Sequence, residues 1–200
     1  MVEKGIMWYQ NIKDALTEIG LQYLTTGGQN TGNKHSTYFR RILDIFYQDS
    51  FAEINKENSK LRTYKLFKTS SEMESYITEI KNEKDRIDFS KFRLSNHKLM
   101  IEIGRHNGIK KEFRFCKFCP NVIEDEIHFL TSCKTFGKQR EELIAEIRHR
   151  NICLNLGAMD KKTLFVFLMS NDYLAPLVAK YIRKTLEIRE YLLNSHKRQI

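Results

Sequence analysis

Only two prolines, Pro120 and Pro176, occur in the 200 residues, so long stretches are free to be helical. Apolar runs are short as well: none approaches the roughly 18 to 20 residues that a membrane span needs. The opening MVEKGIMWYQNIKDAL has no uninterrupted apolar core of the signal-peptide kind. These absences point to a soluble, intracellular protein, nuclear or cytoplasmic, without a membrane partner. Cysteine is scarce too, at four residues. In a reducing compartment those thiols are available to a metal and do not form disulfides. Acidic residues are outnumbered 25 to 34 by basic ones, giving a net charge of +9, an excess that favours nucleic acid or another polyanion. The motifs of metal-dependent hydrolysis, H-x-E with P-C-x-x-C or H-E-x-x-H, are absent. No phosphate loop and no nucleophile–base pair stands out.

What is present in quantity is apolar and aromatic residues, 41% and 12% of the chain, which argues for a packed core and against disorder. Helical spacing predicts a helix over 8–24 (Trp8, Ile12, Ala15, Ile19, Tyr23) and a second over about 36–55 (Phe39, Ile42, Leu43, Phe46, Ile54). A Gly/Asn-rich loop at 25–33 separates them. Ser71 and Glu74 have the spacing of a capping box, opening a helix with Met73, Tyr76, Ile77 and Ile80. Another helix is expected from Phe89 to Ile103, stopped at Gly104, with a turn at Asn107-Gly108. Residues 138–150 and the apolar run Leu164–Met169 read as helices. Leu174, Val178, Tyr181, Thr185, Ile188 and Leu192 form the seam of a long last helix. The expected fold is mostly α: an N-terminal helical region (1–90), a basic segment with a small inserted metal module (91–137), and a C-terminal helical region (138–200).

Three of the four cysteines fall within 18 consecutive positions, as C-x2-C-x8-H-x4-C: Cys116, Cys119, His128 and Cys133. Two thiolates two residues apart can grip one ion from a single turn, and an imidazole and a third thiolate complete a tetrahedral shell that suits Zn²⁺. Such a shell is closed, leaving no position for a substrate water, so the ion is expected to hold structure and not to do chemistry. Residues five apart on a regular helix differ by about 140° around its axis. His128 therefore belongs on a short helix, and Cys133 at or just past its end. Glu124, Asp125 and Glu126 sit at that helix start, where acids are favoured by the dipole. Cys153, between Ile152 and Leu154, is expected in the core.

The charge is concentrated just before this motif. Lys91, Arg93, Lys98, Arg105, Lys110, Lys111, Arg114 and Lys117 face only Glu102 and Glu112 between Lys91 and Cys119. These eight are the candidate nucleic-acid-binding residues, and neutralising six phosphates of duplex DNA would give log K against log salt a slope of about −5. Phe92, Phe113, Phe115 and Phe118 interleave with them as stacking candidates or as core around the metal. His97 and His106 are placed either at phosphate or base or as ordinary surface residues.

Three strings, KLRTYKLFK (60–68), KFRLSNHKLMIEIGRH (91–106) and RFCKFCPNVIEDEIHFLTSC (114–133), make Leu61 to Arg140 resemble the C-terminal region of LINE-type (non-LTR) retrotransposon reverse transcriptases. That region follows the polymerase domain and carries a CCHC zinc-binding motif. The resemblance implies that Cys116, Cys119, His128 and Cys133 ligate zinc and that the basic block helps hold RNA or DNA. It does not extend to polymerisation, which needs paired metal-binding aspartates, and no Asp-Asp pair occurs. A Pro-Asp pair, which marks the nuclease of some such elements, is missing too. The expectation is a zinc-stabilised nucleic-acid-binding module, itself non-catalytic. The alternative is a zinc-stabilised structural or protein-interaction domain whose C-terminal helix packs on a partner such as a polymerase domain.

Overall fold

A computed structural model describes residues 2–22, 34–56, 59–70, 72–150 and 156–197. The protein is mostly helical, and among the described residues β-structure is limited to one isolated bridge. Two compact units divide it, Met1–Lys56 and Glu57–Ile200.

In the first unit, α1 (Val2–Glu18) and α2 (Lys34–Asn55) occupy the two expected helical stretches. The first ends earlier than its periodicity suggests. Gly20 takes a left-handed conformation (φ 71°), with Leu21 N bonded to Leu16 O at 2.7 Å and Gly20 N to Thr17 O at 3.0 Å. This paired bonding satisfies the last carbonyls of a helix and closes it. Arg41 Nε donates to Ile19 O (2.9 Å) and ties α2 to that end. The expected inward stripe is only partly covered: Leu43 and Ile54 are half-buried, whereas Phe39, Ile42 and Phe46 are exposed. Two helices offer too little surface to bury every apolar face. The 25–33 loop lies outside the described residues.

The second unit is built on a core of fully buried rings and aliphatics, among them Phe89, Phe92, Leu99, Phe129, Leu130, Phe136, Phe165 and Ile182. Its first helix, α3, is a single turn (Tyr76–Glu79) with Ser75 at its N-cap. Ser71 lies outside the described residues, and Glu74 does not cap a helix: it accepts from Tyr64 Oη at 2.6 Å and pairs with Lys68 and Arg93. Then come α4 (Glu83–Arg93) and α5 (Met100–His106).

The single helix expected over 89–103 is thus broken. Ser95 adopts φ 52°, with Asn96 N on Lys91 O (2.7 Å) and Ser95 N on Phe92 O (3.2 Å), the same closing pattern as at Gly20. A buried hydrogen bond from Ser95 Oγ to Glu126 (2.8 Å) holds a non-glycine residue in this unusual conformation. Gly104 is not the stop of α5. It lies inside that helix, and Gly108 (φ 68°) ends it, with Ile109 N on Gly104 O at 2.8 Å.

The remaining helices are α6 (Glu126–Thr131), α7 (Gly137–His149), α8 (Lys161–Ser170) and α9 (Ala175–Lys197). The apolar run 164–169 is helical as expected, opened by Asp160, whose carboxylate accepts from Lys162 N and Thr163 N. Pro176 sits in the first turn of α9, where its missing N–H costs nothing. The seam of α9 is buried from Leu174 through Val178 and Tyr181 to Thr185, packed on α3, α4, α7 and α8. Compactness divides the chain after residue 56. Phe92 on α4, Phe129 on α6 and Phe136 before α7 form one aromatic row, with centroids 5.8 and 5.0 Å apart, so those three stretches share a core. No helix among the described residues is long and apolar enough to cross a membrane.

Candidate metal centre

The metal-ligand candidates come from a tight hairpin and the short helix after it. Phe115 and Ile123 form the antiparallel bridge; Cys116 N donates to Val122 O (2.7 Å) and Val122 N to Cys119 O (3.4 Å). Asn121, in the left-handed region (φ 58°), completes the turn, so Cys116 and Cys119 point from one loop. Asp125 then caps α6, its carboxylate accepting from His128 N at 2.7 Å. At the other end Ser132 N and Cys133 N both donate to His128 O (3.0 and 2.8 Å), and Cys133 is extended (ψ 122°). His128 is on the helix and Cys133 is just beyond it, the bend that their spacing demands.

The four ligand atoms lie within 4.8 Å of one another, and all four residues are buried. Cys119 Sγ and Cys133 Sγ are 3.8 Å apart. Two sulfurs each about 2.3 Å from one ion at the tetrahedral angle are separated by about 3.8 Å. Two further observations show that the cluster suits a cation. His128 Nε2 is buried without any hydrogen-bond partner, while Nδ1 lies 3.3 Å from Ser132 Oγ. Buried polar atoms are seldom left unpaired, and a ring nitrogen with a free lone pair is a metal ligand. The thiols also compete for their protons: the hydrogen bond to Cys133, with burial, pushes Cys116 up to about 12, and the same bond pulls Cys133 down. A cation removes that conflict by favouring the thiolate at every position. These residues can hold a metal ion.

Each of the three acids between the cysteine pairs has its own structural partner. Glu124 is buried and takes both arms of Arg189 on α9 (2.8 and 2.7 Å), while its Oε2 also accepts from Met100 N at 2.7 Å. Asp125 is the helix cap described above. Glu126 accepts from Arg62 (2.6 Å) and Ser95 (2.8 Å) and meets His97 Nε2 at 2.9 Å. Burial alone would raise the Glu126 pKa, but the bond to His97 and the charges of His97 and Arg62 outweigh it and hold the group down at about 2. Arg62 also pairs with Glu102 on α5. Arg140 closes the far end, donating to Leu130 O (3.0 Å) and Cys133 O (2.7 Å). The hairpin and α6 are thereby fastened to the loop between α4 and α5, and to α5, α7 and α9.

The basic block separates into two groups. Arg93 is buried: its guanidinium lies 4.2 Å from the Phe67 ring centroid and 4.8 Å from that of Tyr76, and it bonds Glu74 and Met169 O. Arg114 donates to the carbonyls of Ile109 and Ile101 (2.9 Å each), Arg105 pairs with Glu102 at 2.8 Å, and Lys98 reaches Glu190 at 3.4 Å. Lys91, Lys110, Lys111 and Lys117 are exposed, and none of their side chains has a hydrogen bond or ion pair among the described residues. His97 is not a surface group, since its side chain is buried on Glu126; His106 is exposed. Phe92 is fully buried and Phe118 packs edge-on to Phe136, whereas Phe113 and Phe115 are exposed. Cys153 lies outside the described residues.

Arg62, Ser95 and Arg189 escaped the sequence reading, and His97 was read there without its part in supporting the centre. Each supports the centre from 29 to 65 residues away in the chain. No spacing rule links such partners. The one usable signal was that carboxylates at the mouth of a buried cluster need cationic or hydroxyl partners somewhere. Comparison with family models, with curated proteins and with solved structures finds no match for this chain.

Proposed function

We propose that the protein is a zinc-stabilised nucleic-acid-binding module, itself non-catalytic, in which one Zn²⁺ is held by Cys116, Cys119, His128 and Cys133. Three thiolates and an imidazole within 4.8 Å of one another suit Zn²⁺ better than harder cations, which prefer oxygen. All four donors are protein atoms, so the ion has a folding role and no place for a substrate. RNA or DNA is the partner that the surface favours, and the carrying observation is the set of unpaired lysines, Lys91, Lys110, Lys111 and Lys117. The alternative, docking of α9 on another protein, is left a shorter stripe: Leu174, Val178, Tyr181 and Thr185 are buried within the chain, while Ile188 and Leu192 are half-buried. The resemblance of Leu61–Arg140 to the tail of a retrotransposon reverse transcriptase agrees with this reading.

With four unpaired lysines in the basic block in place of six neutralised phosphates, log K for duplex DNA should fall with log salt at a slope of about −4. Fluorescence anisotropy across a salt series measures it directly. A slope near zero, or no binding at low salt, would refute nucleic-acid binding.

A further inference from the structure

Two phenylalanines of the metal hairpin point outward, although a large aromatic core lies beside them. Phe113 is 58% and Phe115 36% exposed, with Val122, 40% exposed, on the opposite arm of the hairpin. Their rings stand 6.4 Å apart at 82°. The backbone that carries them is fixed. Arg114, between the two, turns inward and bonds Ile109 O and Ile101 O, while Phe115 is bridged to Ile123. The backbone under both rings is therefore held in place, next in sequence to the unpaired Lys110, Lys111 and Lys117, with Glu112 the only acid in the segment.

We propose that Phe113 and Phe115 form a stacking platform for unpaired bases, so that this face takes single-stranded nucleic acid in preference to duplex. The proposal rests on the nucleic-acid reading above and narrows it. In a duplex the π-faces of the bases are covered by their neighbours, and an outward phenylalanine gains nothing from them. In a single strand every base offers a face, stacking tolerates any sequence, and lysines alongside follow the phosphates. The sugar does not enter the contact, so RNA and DNA strands share the chemistry.

The test uses the metal-loaded full chain with labelled oligo-dT, oligo-rU and a duplex of equal length, about 12 nucleotides, within the span of one single-strand site. Wild type should bind both single strands more tightly than the duplex. Phe113→Ala and Phe115→Ala should each weaken single-strand binding about 5- to 100-fold and leave the duplex nearly unchanged. Phe113→Leu, which keeps apolar area but has no ring, should behave as Phe113→Ala, and Phe113→Trp should restore binding with quenching of the new indole. Circular dichroism of each variant checks that these exposed substitutions leave the fold intact. Equal losses on strand and duplex, no loss at all, or full binding by Phe113→Leu would overturn the stacking platform while leaving nucleic-acid binding in place. If wild type binds none of the three oligonucleotides, the broader reading fails with it. If Phe113→Ala abolishes self-association in sedimentation and changes no oligonucleotide affinity, the patch is a protein interface and the proposal is wrong.

Discussion

Glu124 and Arg189 stand 65 residues apart and meet in a buried two-armed ion pair, Nε to Oε1 at 2.8 Å and Nη2 to Oε2 at 2.7 Å. It fastens the metal hairpin to the last helix, and Glu124 Oε1 also lies 3.9 Å from Cys116 Sγ. Removing one member leaves a buried charge without a partner, so Arg189→Met should destabilise by about 3–5 kcal/mol. The pair Glu124→Gln with Arg189→Met should cost less than the sum of the single changes. Urea denaturation of the four proteins measures both numbers.

Ser132 governs the orientation of a ligand. With Nε2 free for the metal, Nδ1 carries the proton and donates to Ser132 Oγ, 3.3 Å away. Ser132→Ala should weaken metal binding about 10- to 100-fold, with Ser132→Thr largely restoring it. Competition with a chelator of known affinity reads the effect.

Gly104 is required by contact and not by turn geometry, because a Cβ there would lie 2.6 Å from Arg114 Cγ. Relieving that contact would move Arg114 off the carbonyls of Ile101 and Ile109 and shift the segment that carries Phe113 and Phe115. Gly104→Ala should therefore cost about 1–3 kcal/mol and should weaken single-strand binding as well, whereas Gly108→Ala should affect stability alone. Thermal unfolding and anisotropy of the two variants separate the outcomes.

Arg93 and Lys111 belong to one basic block by sequence but to different parts of the protein by position. Arg93→Gln should unfold or strongly destabilise the second unit, by about 3–5 kcal/mol, since it takes the cation out of a buried ring cluster and leaves Glu74 with only Lys68 and Tyr64 as partners. Lys111→Gln should leave stability within about 0.5 kcal/mol and lower the salt slope of nucleic-acid binding by about 1. Denaturation and salt titration of both variants check the split.

The sequence was informative where one local rule sufficed. Apolar spacing located most of the helices, and the metal motif alone required the bend between His128 and Cys133. It misled where tertiary partners decide. The break between α4 and α5 is hidden because the left-handed residue is Ser95 and not a glycine, and Glu126, 31 residues on, holds it there. Gly104, a plausible stop by composition, is required instead for the close approach of Arg114. Charge counting could not tell Arg93 from Lys111, because burial depends on which rings the fold gathers around a guanidinium.

The central claim is a closed four-ligand metal site that supports folding. X-ray absorption at the metal edge of the purified chain, with elemental analysis of wild type, Cys116→Ser and His128→Ala, tests it most directly. The account predicts one zinc per chain, three sulfurs at about 2.3 Å and one nitrogen at about 2.0–2.1 Å with no oxygen, and loss of both metal and fold in each variant. A chain that folds without metal, or a shell that contains a water oxygen, would contradict it.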